Sequence, residues 1–383
     1  MIFTLEALNA KKGDSLVLSW GPPEKLRHIV IDGGPDGVWK QSLEPRLTEL
    51  RAGHDLDKDT PLPLEMLMVS HIDDDHINGV LDMFAAMAKA RPALPYKIKT
   101  LWHNSFDEIV GNGSKEMKSR LAGFAAEAAD SVDGANDHSM AVVASVGQGR
   151  KLRSAADDLK ILLNGGFVGL VMAKTKPVVS EQLGGLKFHI VGPSQERLEA
   201  LAAKWEEAVA KDQAKAKVAA FVDRSVANLS SIVVVAECGG KTMLLTGDAR
   251  GDDILDGLKG AGFIDNISTG AVHFDLLKMP HHGSEHNMTE DFLKRITADH
   301  YVFSADGQHD NPDGATIEML GRARKGQSFK LYFTNDKMTN EKDVDIGKAV
   351  RAALKKHGLL TKSTFRKNNE LGVRIDLLDD LPI

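Results

Sequence analysis

Ser70-His71-Ile72-Asp73-Asp74-Asp75-His76-Ile77-Asn78-Gly79-Val80 is the stretch on which the reading of this chain turns. Before it, Leu64 to Val69 is an apolar run short enough for a buried strand. After it, Ile77, Val80, Leu81 and Phe84 recur at helical spacing, which predicts a helix beginning near His76. Two imidazoles and three carboxylates therefore fall in one turn at a strand end. Like charges crowded and desolvated there oppose one another, and a divalent ion, or a pair, resolves the conflict. His71 and Asp73 are two residues apart, so in extended backbone they project to one side. Asp75 and His76 sit where the chain turns into the helix and can face a second ion. Aspartates also mark turns, and Asp75 could cap the helix. Capping accounts for one aspartate, however, and not for two histidines bracketing three. Asp74 is expected to be solvated rather than ligating.

With 383 residues the chain is long enough for one large or two ordinary domains. Hydrophobic residues at 42% and charged residues at 27% are those of a soluble globular protein. No apolar run of membrane-spanning length is present, so no membrane segment is expected. Met1-Ile2-Phe3-Thr4-Leu5-Glu6 lacks the basic and apolar regions of a secretory signal. A single cysteine, Cys238, excludes an internal disulfide framework and a cysteine-based zinc site, and a cytoplasmic location is the expectation. A net charge of −6 argues against coating bulk nucleic acid, where phosphate neutralisation supplies most of the affinity. It leaves open a small phosphodiester, or a local basic rim such as Arg366-Lys367.

Working outward, strands are expected at Met1–Leu8, Ser15–Trp20 and Arg27–Ile31, with Pro22-Pro23 as a turn. Asp32-Gly33-Gly34 is either an ordinary tight turn or a loop facing the metal site. Gln41–Arg51 reads as a helix and Ile98–Trp102 as a strand delivering His103, a ligand, a substrate contact or a plain surface residue. From about 105 to 226 alanine, lysine and glutamate dominate, as in Arg120–Ala129 and Gln195–Val218. That region reads as a mostly helical insertion within a single domain spanning 1–383, with Leu186–Val191 its one clear strand. Gly147-x-Gly149 is expected to be a loop. Ile232–Glu237 and Thr242–Thr246 read as a hairpin; Gly240-Lys241-Thr242 is its turn and not a phosphate loop, because the required first glycine is Val235.

Three further strand ends carry chemistry. Leu245-Thr246-Gly247-Asp248 puts one carboxylate at the edge of the hairpin. Phe274–Met279 runs as a strand into Pro280-His281-His282-Gly283-Ser284. Tyr301–Phe303 runs into a loop containing His309, either a pocket residue or a plain loop residue. Helices at Thr316–Arg322 and Val344–Lys356 and strands at Lys330–Thr334 and Gly372–Leu377 complete the chain.

His71-x-Asp73-x-Asp75-His76, after a buried strand and before a helix, resembles the first metal motif of the metallo-β-lactamase fold superfamily, whose usual form is His-x-His-x-Asp-His. The aspartate in second place, Lys12-Gly13-Asp14-Ser15, Ile31-Asp32-Gly33-Gly34 and Pro280-His281-His282-Gly283-Ser284 resemble the branch containing the metallo-hydrolase domain of competence DNA-uptake proteins. The resemblance covers roughly 1–104 and 226–335. It implies an α/β (α+β) fold, a four-layer αββα sandwich, and a metal-activated water attacking a small-molecule or nucleic-acid phosphodiester. It further implies two divalent ions, Zn²⁺ or Mn²⁺, with Mg²⁺ compatible, held by His71, Asp73, Asp75, His76, Asp248 and His282. His281 is then set over the reacting phosphate or water, an exchange of roles with His282 being open, and Asp75 and His281 are the catalytic pair. Asp32 and Asp14 are groups that orient a ligand. In place of a third-motif histidine stands the neighbourhood of Asn228 or Ser230, leaving His103 as a fourth ligand for the first ion. Two rivals remain: hydrolysis of a lactone, thioester or other carbonyl substrate, and a metal-stabilised binding or regulatory module.

Overall fold

A computed structural model describes residues 1–57, 59–105, 108–109, 137–173, 179–199 and 230–383, with backbone alone for 137–146 and 179–182. The expected helix 120–129, most of 195–218, and Asn228 lie outside the described residues.

The N-terminal half builds β1 (Ile2–Leu8), β2 (Leu16–Gly21), β3 (Arg27–Ile31), β4 (Leu62–Leu64), β5 (Met66–Val69), β6 (Tyr96–Ile98), β7 (Thr100–His103) and β8 (Leu162–Leu163), with helices α1 (Glu44–Gly53), α2 (Asp74–Lys89) and α3 (Asp137–Asp158). The rest supplies β9 (Val179–Leu183), β10 (Leu186–Gly192), β11 (Val233–Cys238), β12 (Lys241–Leu245), β13 (Val272–Lys278), β14 (Ile296–Phe303), β15 (Lys330–Phe333), β16 (Ser363–Phe365) and β17 (Gly372–Asp376). Its helices are α4 (Gly251–Gly260), α5 (Glu290–Arg295), α6 (Gly314–Ala323) and α7 (Ile346–Lys356).

One sheet runs β17-β1-β2-β3-β5-β7-β8 and the other β16-β15-β14-β13-β12-β11-β10-β9. Each is antiparallel at one end and parallel at the other, with β3-β5-β7 and β12-β13-β14-β15 parallel. Parallel pairing needs crossover connections, which puts helices on the outer faces. Period-two alternation sets the layers. Phe3, Leu5, Leu18, Trp20, Val234 and Ala236 point between the sheets, while Val17, Val30, Val233 and Val235 face the helices. On one outer face Ile77, Val80, Phe84 and Met87 of α2 pack with Leu47 of α1 and Leu152 of α3. On the other, Ile254, Phe292, Ile317 and Val350 of α4 to α7 do the same. The result is the four-layer αββα sandwich.

Several local expectations shift. The run Leu64–Val69 is interrupted at Glu65, so it splits between β4 and β5. The helix starts at Asp74, with Asp73 as its N-cap. Gly147-x-Gly149 is not a loop but lies inside α3: Gly149 packs over the His103 ring and Ile72, and a glycine is tolerated where two elements approach closely. Within 105–226, β8 extends the first sheet and β9 and β10 the second, so strands are present there beyond Leu186–Val191.

Candidate metal centre

Parallel strands open crevices at their carboxyl ends, and here the ends of both sheets face one another. β5 delivers His71 to His76, β3 delivers Asp32, β12 delivers Asp248, β13 delivers Lys278 to His282, and the β1–β2 loop adds Asp14. Close backbone contact locks these loops together. A Cβ on Gly13 would lie 1.8 Å from the Asp75 carbonyl oxygen, and one on Gly79 1.9 Å from that of Gly33. Asp32, His281 and His282 adopt left-handed φ of 59°, 46° and 57°. Such backbone costs about 1–3 kcal/mol per residue and persists where surrounding contacts over-determine it. Here the His281 amide donates to the Gly247 carbonyl and the Asp32 amide to that of Met68.

His71 Nε2 lies 3.6 Å from Asp73 Oδ2 and 3.7 Å from Asp248 Oδ2. His76 Nε2 lies 3.5 Å from Asp248 Oδ1 and 3.9 Å from Asp75 Oδ1. His282 Nε2 lies 3.3 Å from Asp248 Oδ2 and 3.4 Å from Asp75 Oδ2. These spacings are too long for good hydrogen bonds. They are close to the separation of about 3.3–3.5 Å between donors sharing a tetrahedral ion at about 2.0–2.1 Å. The ligand atoms of His71, His76 and Asp248, and again of Asp75, His76 and His282, lie within 4.8 Å of one another. His71 Nε2, His76 Nε2, His282 Nε2 and Asp248 Oδ1 are buried and without a hydrogen-bond partner. Each such orphan costs about 1–3 kcal/mol, and four converging on one space are explained by a cation. Asp75, the aspartate expected as a cap, lies inside the first turn of α2, and the residue at the N-cap, Asp73, makes no side-chain capping bond, so the turn-and-cap reading does not account for the motif.

The outward nitrogens are fixed. His76 Nδ1 lies 2.8 Å from Asp32 Oδ2, and Asp32 accepts from the Ser70 amide and hydroxyl, each at 2.7 Å. His282 Nδ1 donates to the Ser304 carbonyl at 2.9 Å. Both rings therefore turn Nε2 inward, the geometry of carboxylate- or carbonyl-backed ligands. His281 is 29% exposed, its Nδ1 lies 2.8 Å from Asn287 Oδ1 and its Nε2 3.6 Å from Asp248 Oδ2. The Asn287 amide donates to the Asp248 carbonyl, so one buried residue braces both sides of the pair.

Burial opposes ionisation throughout, and the charges outweigh it. Burial raises Asp75 and Asp248, but neighbouring imidazoles, His76 for the first and His282 for the second, pull both carboxyls below their usual range. Burial lowers His76 and His282, yet the carboxylates, Asp248 foremost, hold both well above ordinary imidazole. A divalent cation answers the same carboxylates while leaving the imidazoles neutral for ligation.

His103 ends β7, buried, with neither ring nitrogen hydrogen-bonded; burial pushes it down to about 3, and it stands outside the groups of mutually close ligand atoms. His309 is exposed in a left-handed loop (φ 57°), 3.3 Å from the Lys12 ammonium at the rim. Asp74 is half-buried instead of solvated, and burial raises its carboxyl. The sequence reading missed Ser70, Lys278 and Asn287. A lysine closing the apolar run Phe274–Met279 was the one available signal. Away from the centre, His28 Nδ1 lies 2.8 Å from Ser19 Oγ and its Nε2 2.6 Å from His54 Nε2.

No family model matches the chain, and no curated protein matches its sequence. Among solved structures it is similar to Zn²⁺-bound PqqB from Methylobacterium extorquens, at 12% identity and TM-score 0.41 over 98% of this chain and 100% of that one. It is also similar to a protein assigned as a metal-dependent hydrolase from Parabacteroides distasonis, at 11% identity and TM-score 0.30 over 93% and 96%. Likenesses this distant carry no conclusion about chemistry.

Proposed function

We propose that the chain is a metal-dependent hydrolase that uses a metal-activated water on a phosphodiester, in the manner of a nuclease. The observation that carries it is the convergence of four buried, unpartnered donor atoms from both sheets on one space. His71, Asp73, Asp75, His76, Asp248 and His282 would hold the ions, Zn²⁺ or Mn²⁺. Bound there, divalent ions acidify water and polarise a phosphoryl oxygen. The chain's own residues do the rest. Asp32 and Ser304 keep the Nε2 lone pairs of His76 and His282 inward. His281, braced by Asn287 at the open side, presents Nε2 to developing charge on the substrate. The Pro280–Ser284 motif, with its resemblance to the competence branch, favours a phosphodiester, and Lys12 beside His309 adds a cationic rim suited to an anion.

The test is turnover of bis-p-nitrophenyl phosphate against nitrocefin and a lactone, with added Mn²⁺ or Zn²⁺. Diester turnover, lost on exhaustive chelation and restored by metal, is expected. Turnover of carbonyl substrates alone would reassign the chemistry. Metal binding with no turnover of either class would make the chain a binding module.

A further inference from the structure

We infer that Lys278 and Asp14 are positioning residues, a buried ion pair that holds His282 with Nδ1 outward and Nε2 toward the metal. The inference rests on the metal-centre reading above.

Both side chains are 1% exposed. Lysine is almost never fully buried unless paired, and this one closes a strand whose Phe274, Leu276 and Leu277 are core residues. Stability does not explain it, because replacing a buried ion pair by uncharged groups of like volume is often neutral or favourable. Its location does. The ammonium binds Asp14 Oδ2, lies 4.0 Å from Asp248 Oδ1 and 3.4 Å from the Gly247 carbonyl.

Asp14 divides its oxygens. Oδ2 takes the ammonium, while Oδ1 is buried, has no hydrogen-bond partner and lies 3.4 Å from His282 Nδ1. That N–H is already committed to the Ser304 carbonyl, so Asp14 acts on it as a fixed negative charge, not as its acceptor. Charge on that side keeps the proton on Nδ1 and the lone pair on Nε2. Asp14 in turn cannot drift: its amide donates to the Asp75 carbonyl at 3.2 Å, and the Gly13 carbonyl accepts from the Ser304 hydroxyl at 2.7 Å. The other half of the centre performs the same task differently. Asp32 contacts His76 directly and is anchored by Ser70; Lys278 does for Asp14 what Ser70 does for Asp32.

The experiment measures Zn²⁺ affinity of the full chain by competition with a chromophoric chelator, beside thermal melting. Lys278→Met or Asp14→Asn alone leaves one buried charge unpaired and is expected to lower Tm. The double variant removes both charges and is expected to recover Tm while still binding Zn²⁺ about 10–100-fold more weakly. Wild-type affinity in the double variant would show the pair to be structural and overturn the inference. Long-range ¹H–¹⁵N spectra of the Zn²⁺-loaded wild type test it without a variant: His282 protonated on Nδ1 and zinc-bound on Nε2 is expected, and zinc on Nδ1 overturns it. A wild-type chain that takes up neither Zn²⁺ nor Mn²⁺ overturns both this and the proposed function. Failure to cleave the diester, with the affinity pattern intact, overturns the function alone.

Discussion

Two clusters of imidazoles among the described residues, one pairing buried His28 with half-buried His54 and the other gathering buried His71, His76 and His282, differ in what faces them. His28 and His54 meet edge to face with ring centroids 4.9 Å apart, while His71, His76 and His282 have centroids 4.0 and 5.2 Å apart. At the first pair His28 has both nitrogens satisfied, by Ser19 and His54, and burial pushes its imidazole down to about 3. At the second, carboxylates surround the rings and the Nε2 atoms have no partner. Clustering of histidines alone therefore does not mark a ligand site. The mark is unsatisfied lone pairs aimed at carboxylates, in a place where burial makes each unsatisfied atom costly.

The strongest way to break this contrast is Asp75→Ala. Diester hydrolysis is expected to vanish while circular dichroism stays that of the folded chain; retained turnover would remove the assigned centre. Next comes Asp32→Asn, which keeps shape but removes the charge behind His76. Zn²⁺ affinity is expected to fall about 10–100-fold, read by chelator competition, and an unchanged value would make Asp32 a mere turn residue.

The His28 pair gives a smaller, pH-dependent effect. Buried His28 stays neutral down to about 3, whereas the unfolded chain takes up that proton near pH 6.5. Between those values the unfolded state binds more protons, so this contribution is intact above about 6.5 and is lost as pH falls, by at most about 1.4 kcal/mol per pH unit. Urea midpoints of wild type and His28→Gln, compared from pH 7 to pH 4, should converge as the pH drops. Parallel curves would mean that the ring is protonated in the fold.

The smallest effect is expected at His103, which shares the orphaned nitrogens of the centre but has no place in its groups of close ligand atoms. His103→Leu is expected to leave Zn²⁺ stoichiometry unchanged and Tm level or higher. Loss of one zinc equivalent would bring His103 into the ligand set and blur the distinction drawn above.

Much of this was legible because strand ends write themselves into sequence as apolar runs that stop at polar residues. Val69 before His71, Leu245 before Asp248 and the run ending near Met279 all sit where that pattern put them. The four layers were what the resemblance to the metallo-β-lactamase fold implied, and the structure fits them with strands apolar on both faces, such as β11. What resisted reading was whatever depends on distant neighbours. Nothing local to Lys278 announces that Asp14 will meet it, or that Asn287 will brace His281 and Asp248 together. Gly149 looks like loop punctuation until α3 is seen lying against His103 and Ile72. Asp32 looks like one more turn aspartate until His76 is placed 2.8 Å away.

The contact between Gly13 and the Asp75 carbonyl has a bearing on how this protein would fare in a genetic screen. One methyl group added at position 13 cannot fit within 1.8 Å of that oxygen, so the ligand-bearing turn must retreat from its neighbours. An allele carrying that methyl group would score as inactive with every codon of the metal centre unaltered. A map of inactivating alleles would thus light up at a residue with no functional group, and that signature separates a site built by interlocked backbones from one built by side chains alone.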